Sequence, residues 1–408
     1  MRILWLKTDL LHPVDVGSRI RTYYMLRELK RKHMLTYLTL DDGTADPEAY
    51  RRATEYCHEL VSVPHRTTRK YSWSFYRDLA MNVLSRKPYT IEKYRSAAFR
   101  DTISRLAHEN RAELVVCDFL HPSINLPFGL PCPVVLFQHN VEAMIWRRQF
   151  EVQTQPITRA YFRQQWRRMW EYERDACRRF DYVVAVSETD RDVMAREYGL
   201  AHIAHIPTGV DTTYFRPSGR FKEEPAHLVF TGSMDWLPND DGMWFFVQEI
   251  LPLIRSKLPE VKLTIVGRKP FARIEALSRE DPSITVTGRV EDVRPYMEQA
   301  SAYVVPLRIG GGTRLKIFEA MAMEKAIVST SIGAEGLPIT DGLDVLIADT
   351  PQAFASAVLR VLNDRSLAKK LGANAAAKVR NEYAWDRVAD CFVNLCERAR
   401  SSRLRPAA

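Results

Sequence analysis

Two cations and a carboxylate stand close together in the run Arg308-Ile309-Gly310-Gly311-Gly312-Thr313-Arg314-Leu315-Lys316-Ile317-Phe318-Glu319. Successive glycines let a backbone approach a ligand closely. Thr313 is a candidate N-cap for the helix that follows. Free N–H groups at a helix start favour a phosphate. Arg314 and Lys316 in the first turn oppose the helix dipole, which suits an anion site better than it suits stability. Glu319 has two readings. It pairs with Lys316 at i,i+3, for roughly 0.2–0.5 kcal/mol. Alternatively it accepts two ribose hydroxyls, as carboxylates of dinucleotide folds do. The spacing is neither GxGxxG nor GxxxxGK[ST], which excludes the dinucleotide fingerprint and the P-loop.

Other candidates end apolar runs. His139 follows Val134–Phe137, and Arg268 follows Leu263–Val266 in Val266-Gly267-Arg268. Gly17 supplies a tight turn after the first apolar run, with Ser18 as N-cap, which reads as a plain strand-to-helix connection. Asn239 reads as an N-cap, with Asp240 and Asp241 in the first turn complementing the dipole rather than holding a metal. No carboxylate pair flanks a reacting carbon, so the two-carboxylate scheme of glycosidases does not transfer.

The elements that must position these residues alternate. Strand-like runs fall at Ile3–Leu6, Leu35–Leu40, Leu60–Val63, Leu114–Cys117, Val134–Phe137, Tyr182–Val186 and Ile203–Ile206. A second series falls at His227–Phe230, Leu263–Val266, Ile284–Val286, Tyr303–Leu307, Ala326–Ser329 and Val345–Ala348. Apolar strands separated by helices imply parallel sheets covered on both faces. Two doubly wound α/β domains follow, with ligands at the carboxyl ends of the strands in a cleft between them. The polar stretch Pro217–Pro225 serves as linker, giving domains 1–216 and 217–384.

The balance of 46% hydrophobic and 27% charged residues is that of a folded chain, and 408 residues suffice for two cores. A net charge of +9 implies an anionic partner. The basic, aromatic stretches 66–95 and 147–179, the latter with Arg159, Arg163 and Arg167, have three readings: solvated helix faces, a surface on anionic lipid, or nucleic acid. The last lacks any accompanying nucleic-acid motif. Six cysteines without CxxC spacing read as reduced packing residues of a cytosolic chain. The N-terminus is charged too early for a signal peptide, and no apolar run spans a bilayer.

The segment containing Gly312 and Glu319 resembles the donor-binding motif of GT-B glycosyltransferases of family 4, E-G-F-G followed by four residues and E-A. Glu319 matches the second glutamate and Gly312 the first glycine. Gly311 stands where the first glutamate is usual, and Thr313 and Arg314 replace Phe-Gly. The stretch from Gly17 resembles the family's N-terminal glycine loop, which would make Arg19 and Arg21 anion contacts, and Gly232 and Ser233 resemble its first donor loop, with Arg268 in place of the usual cations there. The resemblance implies two Rossmann-like domains, a last helix near 385–402 returning to the first, and a metal-independent, retaining transfer of sugar. The donor is then a nucleotide-diphosphate sugar, the acceptor a glycan or lipid-linked sugar, with no separate cofactor and no nucleic acid. Glu319 would hold the ribose, His139 the sugar, and Arg268, Arg314 and Lys316 the diphosphate. The setting would be exopolysaccharide assembly in the cytoplasm, against the cytoplasmic face of the inner membrane. A nucleotide-sugar 2-epimerase of the same fold would carry more carboxylates and histidines. A non-catalytic binder would fit Gly311.

Overall fold

The computed structural model describes residues 1–14, 16–68, 72–82, 84–109, 112–127, 129–309 and 315–403. The first unit comprises Met1–Pro207 and Val388–Ala408, the second Thr208–Arg387. Each holds one all-parallel sheet. In the first unit, β1 (Arg2–Lys7), β2 (Met34–Asp41), β3 (Glu59–Pro64), β4 (Leu114–Asp118), β5 (Val134–Phe137), β6 (Tyr182–Ala185) and β7 (Ile203–His205) lie in the order β3-β2-β1-β4-β5-β6-β7. In the second, β8 (His227–Thr231), β9 (Lys262–Val266), β10 (Ile284–Val286), β11 (Ala302–Val305), β12 (Ile327–Ser329) and β13 (Leu346–Ile347) lie in the order β10-β9-β8-β11-β12-β13. Every apolar run of the sequence is therefore a strand. The order reverses between β1 and β4, and again between β8 and β11. Such switch points open crevices at the carboxyl ends of strands. Strands β4 and β8 are buried along their whole length, as sheets covered on both faces require.

The junction lies nearer the N-terminus than the polar stretch 217–225. Val210 N donates to Tyr383 O at 2.8 Å, and a Cβ on Gly209 would stand 2.7 Å from the Trp385 ring. Residues 208–216 are thus tied to the second unit. The last helix, Trp385–Arg403, sets Phe392 against Trp5 and Phe137 with ring centroids 5.7 and 5.3 Å apart. Lys32 pairs with Asp390 at 2.7 Å and Arg400 with Glu113 at 3.2 Å.

Two helix starts differ from expectation. Helix Gly17–Lys30 begins one residue before Ser18, and its N-cap position is Val16, with no side-chain cap. Gly17 has open space where a Cβ would stand and no positive φ, so no tight turn depends on it. Helix Leu237–Phe245 begins two residues before Asn239 and has Trp236 at the N-cap. Pro238 there suits the first turn. Among the described residues, no helix is long and apolar enough to cross a membrane. All six cysteines are free, and all but Cys391 are buried.

Candidate functional site

In the second unit, the ends of β8 and β9 meet backbone to backbone. Gly232 N donates to Val266 O at 2.9 Å, and Met234 N to Arg268 O at 3.0 Å. A Cβ on Gly267 would lie 1.7 Å from Gly232 O, and one on Gly232 would lie 2.7 Å from Lys316 Nζ and 2.9 Å from Asn239 Nδ2. Neither position takes a side chain without something moving. Asn239, released from capping, bridges the site. Its Nδ2 donates to Ser233 O at 2.8 Å, and its Oδ1 accepts from Lys316 Nζ at 2.7 Å. Lys316 Nζ also rests 4.1 Å from the centre of the Phe230 ring. Arg268 Nε donates to Ser233 Oγ at 2.8 Å, and that hydroxyl donates to Asp235 Oδ1 at 2.7 Å. Two cations from distant segments therefore converge on the Gly232-Ser233 turn.

Glu319 follows Lys316 on helix Leu315–Ala322 and is half-buried among buried Ile317, Phe318, Ala320 and Met321. Lys316 is turned to Asn239, and among the described residues Glu319 has no ion pair or side-chain hydrogen bond. Burial pushes its carboxyl up to about 7, and Lys316 opposes that shift. Asp240 and Asp241 do more than complement a dipole. Asp240 pairs with Arg273, and Asp241 with Arg308 at 2.7 Å. No group of metal-binding side chains occurs among the described residues. Gly311, Gly312, Thr313 and Arg314 lie outside the described residues.

In the first unit, His139 lies just beyond β5, and its Nε2 meets Asp118 Oδ1 at 2.6 Å. Asp118 ends β4 and is fully buried. Its Oδ2 accepts from Trp5 Nε1 at 2.9 Å and Thr22 Oγ1 at 2.7 Å, and lies 3.1 Å from Lys7 Nζ. Burial pushes Asp118's carboxyl up, but Lys7, His139 and Thr22 outweigh it and hold the carboxyl below the usual range. Burial lowers the His139 imidazole to about 3, against the pull of Asp118. A neutral ring facing a carboxylate places its proton on Nε2, leaving Nδ1 as an acceptor. The ring lies flat on Phe119, centroids 4.1 Å apart and planes 2° apart. Phe119 holds φ 74°, a left-handed conformation that a bulky residue adopts only under constraint.

The other N-terminal candidates behave differently. Arg19 Nε pairs with Asp9 Oδ2 at 3.0 Å and its NH1 donates to Pro13 O at 3.3 Å. Arg21 is no anion contact. It is buried, donates to Gln138 O at 2.5 Å and Ile206 O at 2.9 Å, and so ties the ends of two strands together. Beside His139, buried Glu173 accepts from Gln138 Nε2, Glu142 N, Ala143 N and the Tyr198 hydroxyl at 2.7–3.0 Å. Among the described residues Glu142 has no such donors, and burial together with Glu173 pushes its carboxyl up to about 8. Burial raises the Glu173 carboxyl as well, to about 7, against the pull of those donors.

Sequence reasoning missed Lys7, Thr22, Asp118 and Asn239 as parts of these clusters. Asp118 and Lys7 left a signal: each is a charged residue at the end of an apolar strand.

Two family descriptions match the chain. Residues 17–214 match Glycosyltransferase Family 4, and residues 225–364 match Glycosyl transferases group 1. The chain is 22% identical over 253 residues to an uncharacterized 44.6 kDa protein in the cps region of Klebsiella pneumoniae, covering 60% of this chain and 63% of that one. It is 28% identical to a lipopolysaccharide core biosynthesis mannosyltransferase of Rhizobium leguminosarum bv. viciae, covering 55% of this chain and 67% of that one. Similarity to the first of these relatives thus spans less than two thirds of that relative's length. The fold resembles sucrose-phosphate synthase from Thermosynechococcus elongatus, with TM-score 0.69, 16% identity and coverage of 98% and 99%. It also resembles Anabaena HepE in complex with UDP, with TM-score 0.67, 13% identity and coverage of 98% and 100%.

Proposed function

This chain belongs to the group 1 glycosyl transferases of family 4 type, and from that premise we propose that it moves a sugar from a nucleotide-diphosphate sugar to a hydroxyl acceptor. The convergence of Lys316 and Arg268 on the Gly232-Ser233 turn carries this reading. The bond from the anomeric carbon to the diphosphate oxygen breaks, and charge grows on the leaving diphosphate. Cations fixed beforehand stabilise that charge more than they stabilise the bound donor. Lys316 is held by Asn239 and Arg268 by Ser233, so little reorganisation accompanies the reaction. The same two cations do the work that a metal would do elsewhere, so the transfer needs no bound metal. The bond from the acceptor oxygen to carbon forms with retention, and the leaving phosphate takes the acceptor's proton.

Glu319 accepts two ribose hydroxyls. A carboxylate lacking side-chain donors, with its pKa raised by burial, gains most from such donors. His139 offers its Nδ1 lone pair to a hydroxyl of the transferred sugar. The product belongs to a cell-surface glycan, which the cps-region and lipopolysaccharide-core relatives support. UDP in HepE makes uracil the first base to try.

The test is release of nucleotide diphosphate from UDP-, GDP-, ADP- and TDP-sugars without acceptor. Slow hydrolysis of one donor, lost in Lys316→Ala, is expected. Binding without hydrolysis, with or without glycan acceptors present, would leave a binding protein.

A further inference from the structure

Phe119 occupies a backbone position that favours glycine. Strand β4 ends at Asp118, and the chain turns at once into the short helical turn His121–Asn125. Phe119 N still donates to Phe137 O at 2.9 Å, and Cys117 Sγ donates to Phe119 O at 3.3 Å, so the corner is anchored on both sides. Among the described residues other than glycine, Phe119, Ala226, Lys269 and Glu324 have positive φ, and of these Phe119 alone is aromatic. A glycine would make the same corner without strain. What a glycine cannot supply is the ring.

That ring confines His139. It lies 4.1 Å from the imidazole with the planes 2° apart, while Phe137 meets the same imidazole edge-on, centroids 5.2 Å apart and planes at 82°. Asp118 Oδ1 holds Nε2 at 2.6 Å. A single hydrogen bond fixes one atom and leaves the imidazole free to tilt about it; a flat neighbour removes the tilt. Lys7 Nζ stands 4.8 Å from the centre of the Phe119 ring and helps to keep that ring in place. Of the two imidazole nitrogens, only Nδ1 is then left to accept a hydrogen bond.

We propose that Phe119 is a positioning residue: the left-handed corner presents its ring flat to His139, which fixes the imidazole plane and so the direction of the Nδ1 lone pair. That lone pair lies in the ring plane, so a tilt swings it away from the sugar hydroxyl it meets. Groups that act on a substrate must be held within about 10–20° of the productive direction. Strain of this kind collects where a geometry is needed for function. The proposal rests on the reading that His139 meets the transferred sugar. Its rival is packing alone, which any apolar side chain of similar bulk would satisfy. Leucine separates the two, since it keeps the bulk and loses the flat face.

The test is NMR relaxation of the full chain labelled with carbon-13 in its histidine rings, His139 being assigned by the signals missing from His139→Asn. In wild type the ring C–H order parameter of His139 should match rigid backbone, about 0.85, and in Phe119→Leu and Phe119→Gly it should fall below about 0.6. Phe119→Tyr keeps the flat ring and should restore the wild-type value. Turnover on the preferred donor should fall about tenfold to a hundredfold in the leucine and glycine variants and stay near wild type in the tyrosine variant. The nucleoside diphosphate, which lacks the sugar, should bind all four proteins equally. Phe119→Gly frees the corner of strain and keeps the test decisive if Phe119→Leu melts early. An order parameter unchanged in both variants would overturn the proposal, and so would wild-type turnover in Phe119→Leu. The order parameter needs no donor, so a wild type that turns over no nucleotide sugar would sink the transfer reading alone.

Discussion

Asp118→Asn is the substitution whose consequences the structure defines best. It keeps the shape of a fully buried side chain and removes its charge. Lys7, itself 2% exposed, loses the carboxylate 3.1 Å away and keeps its hydrogen bond to Thr22 Oγ1 at 3.2 Å and its place 4.8 Å from the centre of the Phe119 ring. Removing one partner of a buried pair costs about 3–5 kcal/mol, because the other charge stays buried. Against a total stability of about 5–15 kcal/mol, that is a large fraction. Lys7→Met alone should cost less, since Asp118 keeps Trp5, Thr22 and His139 as donors. The double variant should be more stable than the sum of the two losses implies, by about 2 kcal/mol or more. Urea unfolding followed by tryptophan fluorescence measures all four proteins. The sign of the pH dependence is also set. Asp118's folded pKa is depressed, so its contribution is present above the ordinary Asp range and fades as pH falls through the folded value. The gap between wild type and Asp118→Asn should narrow in acid. Strictly additive losses, or a cost for Asp118→Asn under about 1 kcal/mol, would refute the reasoning.

Lys316→Ala should lower kcat more than it raises KM, because the charge it meets grows toward the transition state; steady-state kinetics on the preferred donor decides it. The two strand-end glycines should part company in thermal melts. Gly267→Ala pushes into the Gly232 carbonyl and should destabilise strongly, whereas Gly232→Ala meets the flexible ends of Lys316 and Asn239 and should fold yet turn over slowly. Raised carboxyl pKa values at Glu142 and Glu173 mean stability that is full below the ordinary Glu range and lost as pH rises through about 7 to 8. Glu142→Gln should flatten that loss by up to about 1.4 kcal/mol per pH unit in a pH series of denaturation midpoints.

The strands were legible because a parallel sheet buried on both faces writes itself as apolar runs, and thirteen such runs became thirteen strands. The positions of His139 just beyond β5 and Arg268 just beyond β9 were legible because each follows such a run. Pairings across the sheet were not. Trp5, Thr22, Lys7 and His139 meet at Asp118 only because the sheet order sets β4 beside β1, a fact absent from local spacing. Helix caps misled for a related reason. Ser18 and Asn239 have capping chemistry, yet each helix starts earlier, and Asn239's amide is drawn instead to Lys316 and the Ser233 carbonyl. Arg21 shows the limit of reading charge as function. Four residues after Gly17, in a stretch resembling a glycine loop, it read as an anion contact, and the fold buried it as a strut between strand ends.

The central claim is that the second unit binds a nucleotide-diphosphate sugar through Glu319 and the Lys316–Arg268 pair. A melting-temperature screen of wild type and Glu319→Gln against UDP-, GDP-, ADP- and TDP-sugars tests it most directly. A ligand present at about a hundred times its Kd stabilises the folded state by about 2.7 kcal/mol. Losing charge-assisted hydrogen bonds worth about 1.5–3 kcal/mol should weaken binding at least tenfold. The account requires one nucleotide sugar to raise the wild-type melting temperature, with most of that rise gone in a Glu319→Gln protein that melts normally by itself. No shift with any of the four, or an equal shift in both proteins, would contradict it.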